Sequence, residues 1–284
     1  MGISDGFARV DADPWLVLGG GGVKGIAHVG ALRALAEAGV RPAGIVGTSI
    51  GALVGALAAS GVDTEEGHRI ARSLEHDDIV RVNRRAVWIN GIRQVSVFRG
   101  DTLLDYLRRV LPPEGWDAMD VPLLINAVDL GDGSTEWFGP DARTDLPLAE
   151  AVYASCALPG FYPPWRADGR AYVDGGTSHP LAIHRAADEG AGRVIAIDVG
   201  SGREGDVEGT LAQGFLGIHQ RVFSIMTYRR RQDALARWDG PPLLHVRPRL
   251  DGYGPFGFEH IEYFLGEGYR ATREALEGVG LGVR

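Results

Sequence analysis

The stretch from Leu16 to Ser60 constrains the chain most, because it holds two consecutive strand-to-helix turns of unusual composition. Leu16-Val17-Leu18 is a short apolar run that breaks at Gly19-Gly20-Gly21-Gly22. Apolar residues then return at helical spacing with Ile26, Val29, Leu32, Leu35 and Ala36. Gly39 closes that helix, since glycine enters the left-handed region without a Cβ penalty. Ile45-Val46 reads as a second buried strand, and Gly47-Thr48-Ser49-Ile50-Gly51 carries the chain into a helix over 50–60. A Gly-x-Ser-x-Gly at such a turn is a nucleophile elbow: the glycines let the backbone bend tightly and push the serine hydroxyl into the open at a helix N-terminus. The glycine loop after the neighbouring strand would aim its N–H groups at the same end of the sheet, where α/β ligands bind.

Two rival readings of the glycine run fail on particular residues. Gly20-x-Gly22-x-x-Gly25 fits the dinucleotide fingerprint, but that motif wants an acidic residue about 20 positions on, and Gly44-Ile45-Val46-Gly47 stands there. A phosphate-binding loop needs Gly-Lys-Ser/Thr in that order, whereas this chain reads Lys24-Gly25-Ile26. An amide-rich loop beside a serine instead suggests an oxyanion hole facing a nucleophile. The plainer alternative is a tight turn carrying an idle serine.

With 284 residues and 45% hydrophobic content the chain can bury a large core. No linker divides it, so residues 1–14 read as a flexible tail and 15–284 as one domain. The net charge of −8 argues against nucleic-acid binding. Cys156 is the sole cysteine, which excludes an intramolecular disulfide and fits a reducing compartment. Neither paired histidines nor a cysteine cluster shows metal-ligand spacing, so no metal or organic cofactor is expected. There is no basic-then-apolar leader and no apolar run near 18 residues. Gly6 stands where a myristoylation signal wants Ser or Thr. The expected location is the cytoplasm, with peripheral contact at the inner membrane face as the wider reading; the oligomeric state is not legible.

Further along, Asp63 with Glu66 predicts a capped helix to about Glu75. Over 77–99, Arg81, Arg84, Arg85, Arg93 and Arg99 are interleaved with apolar residues including Trp88 and Phe98. This reads as a surface for anionic lipid, as a flap over the site, or as a solvated hairpin whose apolar residues cap the core. Asp101 is placed as the cap of a helix over 102–111, with a strand over 121–128, a hairpin strand over 135–138 and a helix from Pro147 to Tyr153. Residues 154–164 are too rich in proline for a regular element, and Cys156 among small residues reads as buried rather than nucleophilic. Ala171-Tyr172-Val173 is a strand ending in Asp174-Gly175-Gly176. That is either a carboxylate set against a cleft or an ordinary Asp-Gly turn. Then come a helix over 181–188, a strand over 194–198, an exposed loop over 200–209 and a long helix over 211–237. This last carries Phe215, Ile218, Val222, Ile225 and Leu235 on one side and Arg229-Arg230-Arg231 on a solvated face. A strand over 243–246 and a helix over 259–276 close the chain.

Taken in order, Gly19-Gly20-Gly21-Gly22-Val23-Lys24-Gly25, Gly47-Thr48-Ser49-Ile50-Gly51, Ala154-Ser155 with Pro159-Gly160, and Asp174-Gly175-Gly176 resemble the bacterial patatin-like phospholipases, in the subgroup similar to the neuropathy-target-esterase catalytic domain. The resemblance covers about residues 15–200 and extends loosely to Tyr253–Tyr269. It departs at Gly19, where many members have Asp. It implies a three-layer α/β/α hydrolase with a mostly parallel central sheet, acting on lipid or acyl-ester substrates through a Ser–Asp dyad. Ser49 would be the nucleophile, Asp174 its base, and the amides of Gly20, Gly21 and Gly22 the oxyanion hole. Lys24, Gly47, Gly51, Gly175 and Gly176 would support them; Lys24 reads equally as a surface lysine. A carboxylate with a pKa near 3.9 is a poor base for a hydroxyl, so burial must raise its basicity. In a Ser–Asp–His order, His179, His184, His219, His245 or His260 would complete a triad, but His179 and His184 leave little chain to turn back. An acyltransferase using the same site, or a phosphate- or lipid-binding module with an inert Ser49, are the alternatives.

Overall fold

The computed structural model describes residues 6–7, 12–82, 95–140, 142–202 and 205–281. Its strands are β1 (Trp15–Leu18), β2 (Gly44–Gly47), β3 (Leu123–Asp129), β4 (Thr135–Phe138), β5 (Trp165–Ala167), β6 (Arg170–Asp174), β7 (Val194–Ile197) and β8 (Leu243–Val246). They form one sheet in the order β5-β6-β3-β2-β1-β7-β8, with β4 also paired to β3. The run β3-β2-β1-β7-β8 is parallel, while β4, β5 and β6 pair antiparallel. The helices among the described residues are α1 (Ala27–Glu37), α2 (Ile50–Ala59), α3 (Thr64–Ser73), α4 (His76–Ile79), α5 (Gly100–Val110), α6 (Leu148–Cys156), α7 (Ile183–Asp188), α8 (Val207–Ala212), α9 (Gly214–Ala236) and α10 (Ile261–Gly278).

The parallel strands are buried on both faces, and their alternate residues enter different cores. Leu16, Leu18, Ile45, Leu123, Ile125, Ile195 and Ile197 join the larger core with side chains of α1, α2, α5, α6 and α10. Val17, Val46, Leu124, Val194, Ala196 and Leu243 join the smaller one, with α7 and the end of α9. This is the expected three-layer α/β/α arrangement. On the thick side α1 and α10 cross closely at glycines, since a Cβ on Gly30 would strike Leu265 O and one on Gly268 would strike Ala27 O.

One register decides where the site falls. β3 pairs with β2 up to Ile125↔Gly47 and with β6 from Ala127↔Asp174, so the C-terminal ends of β2 and β6 meet two residues apart along β3. Ser49, just beyond β2, and Asp174, at the end of β6, are thereby brought face to face across 125 positions of sequence.

Several local expectations need adjustment. Asp63 does cap α3, its side chain accepting from Glu66 N at 2.8 Å. Asp101, however, lies inside α5, whose N-cap is Arg99. The long helix is broken at Gly214, with φ +63°, and its first part begins at Val207 inside the segment expected to be a loop. Within the expected N-terminal tail, Phe7 is buried beneath the Arg193 guanidinium. Of the basic-aromatic stretch 77–99, residues 83–94, including Arg84, Arg85, Trp88 and Arg93, lie outside the described residues.

Candidate active site

Ser49 has φ 55° and ψ −126°, a conformation that L residues rarely adopt. Such a backbone costs on the order of 1–3 kcal/mol and must be held by its surroundings. The flanking glycines allow it: a Cβ on Gly47 would lie 2.6 Å from Ala52 Cα, and one on Gly51 would strike Leu18 O. Thr48 N donates to Leu18 O at 3.0 Å, and Ser49 N donates to Ser155 Oγ at 2.8 Å. Ser155 is fully buried on α6. Its hydroxyl was not legible as a site group, although Ala154-Ser155 is among the motifs that carry the resemblance. Ser155→Ala would leave the Ser49 amide buried without its acceptor, at a cost of about 1–3 kcal/mol. If that loosens the elbow, kcat on a soluble ester falls about 10–100-fold; an unchanged kcat would show that Ser155 does not position Ser49.

Ser49 Oγ donates to Asp174 Oδ2 at 2.7 Å, and Asp174 Oδ1 accepts from Gly176 N at 2.7 Å. Asp174 is 4% exposed and Ser49 9%. Burial raises the Asp174 pKa to about 6, with the bonds from Ser49 and Gly176 pulling the other way. The direction is the one a carboxylate base requires. Asn126, fully buried on β3, donates from Nδ2 to Gly175 O at 3.1 Å, and a Cβ on Gly175 would collide with the Asn126 amide. Gly175 is therefore needed where β6 turns away from β3.

The glycine loop runs beside Ser49: a Cβ on Gly20 would lie 3.4 Å from Ser49 Cβ. Of the three amides expected to face an oxyanion, that of Gly20 already donates to Pro180 O at 3.0 Å. The amides of Gly21 and Gly22 have no acceptor among the described residues, nor does that of Ile50 at the start of α2. Gly22 has φ +65° and sits on Pro255, while a Cβ on Gly21 would meet Val199 O at 2.8 Å. Behind the loop, the fully buried His28 contacts Gly19 O through Nε2 at 2.8 Å. Burial lowers its pKa to about 4, so the ring is neutral and donates from Nε2.

Lys24 is no surface lysine. It is 2% exposed and its Nζ donates to Ser201 Oγ at 2.6 Å. Burial, helped by the nearby charge of Arg231, lowers its pKa to about 8. Arg231, expected on a solvated face, is 1% exposed, with Nε 3.1 Å from Oδ1 of the buried Asp198. The five candidate histidines have other neighbours: His179 contacts Ser178 and Thr135, His184 contacts Ala234 O, His219 contacts Pro159 O, His245 faces Asp198 and His260 faces Glu259. The Cys156 thiol is pushed up by burial and by the Asp174 charge, which disfavours the thiolate. Among the described residues no group of three or more His, Cys, Asp or Glu side chains could hold a metal ion.

Ser49, Asp174, Gly21 and Gly22 open into a cavity of about 1070 Å³ of empty space, including space open to solvent. Leu53, Leu74, Ile79, Leu103, Leu107 and Phe256 supply an apolar wall; Lys24, Ser201, Gln220, Ser224, Thr227 and Arg231 supply a polar one.

The patatin-like phospholipase family model matches residues 16–187, and the chain belongs to that family. An uncharacterized NTE family protein of Mycobacterium tuberculosis is 35% identical over 190 residues, covering 67% of this chain and 50% of that protein. Lysophospholipase nte1 of Aspergillus fumigatus is 27% identical over 284 residues, covering 92% of this chain and 18% of that protein. The chain thus spans half or less of these relatives, which belong to the subgroup its motifs resemble. VipD from Legionella pneumophila shares the fold at a TM-score of 0.50 and 16% identity, covering 94% of this chain and 67% of that one.

Proposed function

We propose that the chain hydrolyses acyl esters of lipids, as a phospholipase A or lysophospholipase, through an acyl-Ser49 intermediate. The observation that carries this reading is the 2.7 Å hydrogen bond from Ser49 Oγ to a buried carboxylate with a raised pKa. Asp174 accepts the Ser49 proton as Oγ attacks the ester carbonyl. The amides of Gly21 and Gly22 receive the developing oxyanion, each good donor contributing about 3–4 kcal/mol in comparable sites. The carbonyl re-forms, the alcohol leaves with the proton held by Asp174, and the acyl group remains on Ser49. Water then attacks the acyl ester, giving its proton to Asp174, and Ser49 leaves with that proton.

The apolar wall suits an acyl chain and the polar wall suits the glycerol and headgroup. The name of the Aspergillus relative supports a lysophospholipid as the first substrate to try. In the test, the protein is incubated with a panel of phospholipids and lysophospholipids, with and without an added alcohol, and the products are identified. Free fatty acid in both conditions is expected. Acyl ester of the added alcohol at the expense of fatty acid would favour the acyltransferase reading, and no acyl release from any lipid or soluble ester would favour a binding module.

A further inference from the structure

The periodic apolar residues of α8 and α9 face the wrong way for a core stripe. Val207 is 67% exposed, Leu211 55%, Phe215 84%, Ile218 43%, Val222 49% and Met226 50%, and they recur every three or four residues. Within α9 that spacing keeps Phe215, Ile218, Val222 and Met226 on one face. Another face of the same helix supplies Gln220, Phe223, Ser224, Thr227 and Arg231 to the wall of the catalytic cavity. α9 therefore stands between the cavity and an apolar surface left exposed among the described residues. Scattered exposed apolar residues are ordinary, but a continuous stripe marks an interaction site.

Charge points to the kind of partner. In a chain of net charge −8, α9 carries Arg221, Arg229 and Arg230, besides the buried Arg231 paired with Asp198, against one carboxylate, Asp233, while α8 adds Glu208. Arg229 and Arg230 are exposed, lie one turn beyond Met226 at the end of the stripe, and have no salt bridge among the described residues. A helix with an apolar stripe and arginines along its edge lies in the plane of a lipid interface, its apolar side chains among acyl chains and its guanidinium groups at the phosphates.

We infer that α8 and α9 form the surface by which this protein docks on an anionic lipid bilayer, with the cavity behind α9 opening where the acyl substrate lies. The inference rests on the lipid-hydrolase reading for its choice of partner. Docking brings the cavity wall to the bilayer and leaves the Ser49–Asp174 pair untouched, so soluble substrates need no docking.

The test measures sedimentation with vesicles of phosphatidylcholine containing phosphatidylglycerol, alongside hydrolysis of a soluble short-chain ester and the thermal midpoint. Wild type is expected to bind these vesicles, and more weakly as salt is raised. Phe215→Ser with Ile218→Ser and Val222→Ser should lower vesicle partitioning at least tenfold while the soluble-ester rate stays within twofold and the midpoint holds. Arg229→Glu with Arg230→Glu, a change at two exposed side chains, should weaken binding to anionic vesicles at least fivefold and leave it unchanged on pure phosphatidylcholine. Vesicle binding by both variants equal to wild type would overturn the proposal. So would a dimer in wild type that becomes a monomer in the triple variant with vesicle binding intact, since the stripe would then join two copies of this chain. Should wild type bind vesicles through the stripe yet release no fatty acid from any lipid, the docking surface stands and the hydrolase reading falls.

Discussion

Asp174→Asn is expected to lower kcat on a soluble ester by about 10⁴-fold or more, because it leaves the geometry of the site while removing its base. In wild type the base must be ionised, so kcat/KM should fall about tenfold per pH unit below about pH 6, the folded-state pKa of Asp174. Stability should move in the opposite direction. The folded pKa lies above the unfolded value near 3.9, so the stability this group contributes is present below about pH 4 and lost as pH rises through about 6. Ionised Asp174 then costs the native state about 2–3 kcal/mol at neutral pH. Asn carries no charge to desolvate, and Asp174→Asn should gain stability relative to wild type between pH 4 and pH 7.5 in denaturant titrations. A variant that is inactive yet less stable than wild type at pH 7.5 would mean that the carboxylate is held for the fold and not for catalysis.

Ser49→Ala should reduce hydrolysis by about 10⁶-fold, the loss expected of a nucleophile that acts as a unit with its base. Removing Oγ also removes a donor to Asp174. The carboxylate should then titrate higher, which is visible as a shift in the pH dependence of stability. No replacement of a single histidine by alanine should cost more than about tenfold. Each of the five candidates downstream of Asp174 has another neighbour in the fold. A histidine variant as inactive as Ser49→Ala would replace the dyad with a triad.

What the sequence discloses of this site is what backbone geometry imposes on residue type. The elbow and the glycine loop could be read because positive φ and close approach leave only glycine at Gly22, Gly47 and Gly51. The paired ends of β2 and β6 could not, since that meeting depends on a register along β3 that local pattern does not fix. The Gly20 amide could not be excluded in advance, because its acceptor, Pro180 O, arrives from a loop 160 positions away. The exposure of Phe215, Ile218 and Val222 was hidden for a different reason. Helical spacing reports that a helix has an apolar side, and the spacing is the same whether that side meets a core or a membrane. From sequence Arg231 is indistinguishable from its solvated neighbours Arg229 and Arg230, whereas Asp198 and Ser201 O give it a buried place.

The central claim is that Ser49 is an activated nucleophile with Asp174 as its base. It is tested most directly by exposing the protein to a fluorophosphonate and locating the adduct by peptide mass spectrometry. The expected result is one adduct per chain, on Ser49, formed far more slowly in Asp174→Asn and more slowly in wild type below about pH 6. No adduct, or an adduct on another serine with Ser49 unmodified, would contradict it.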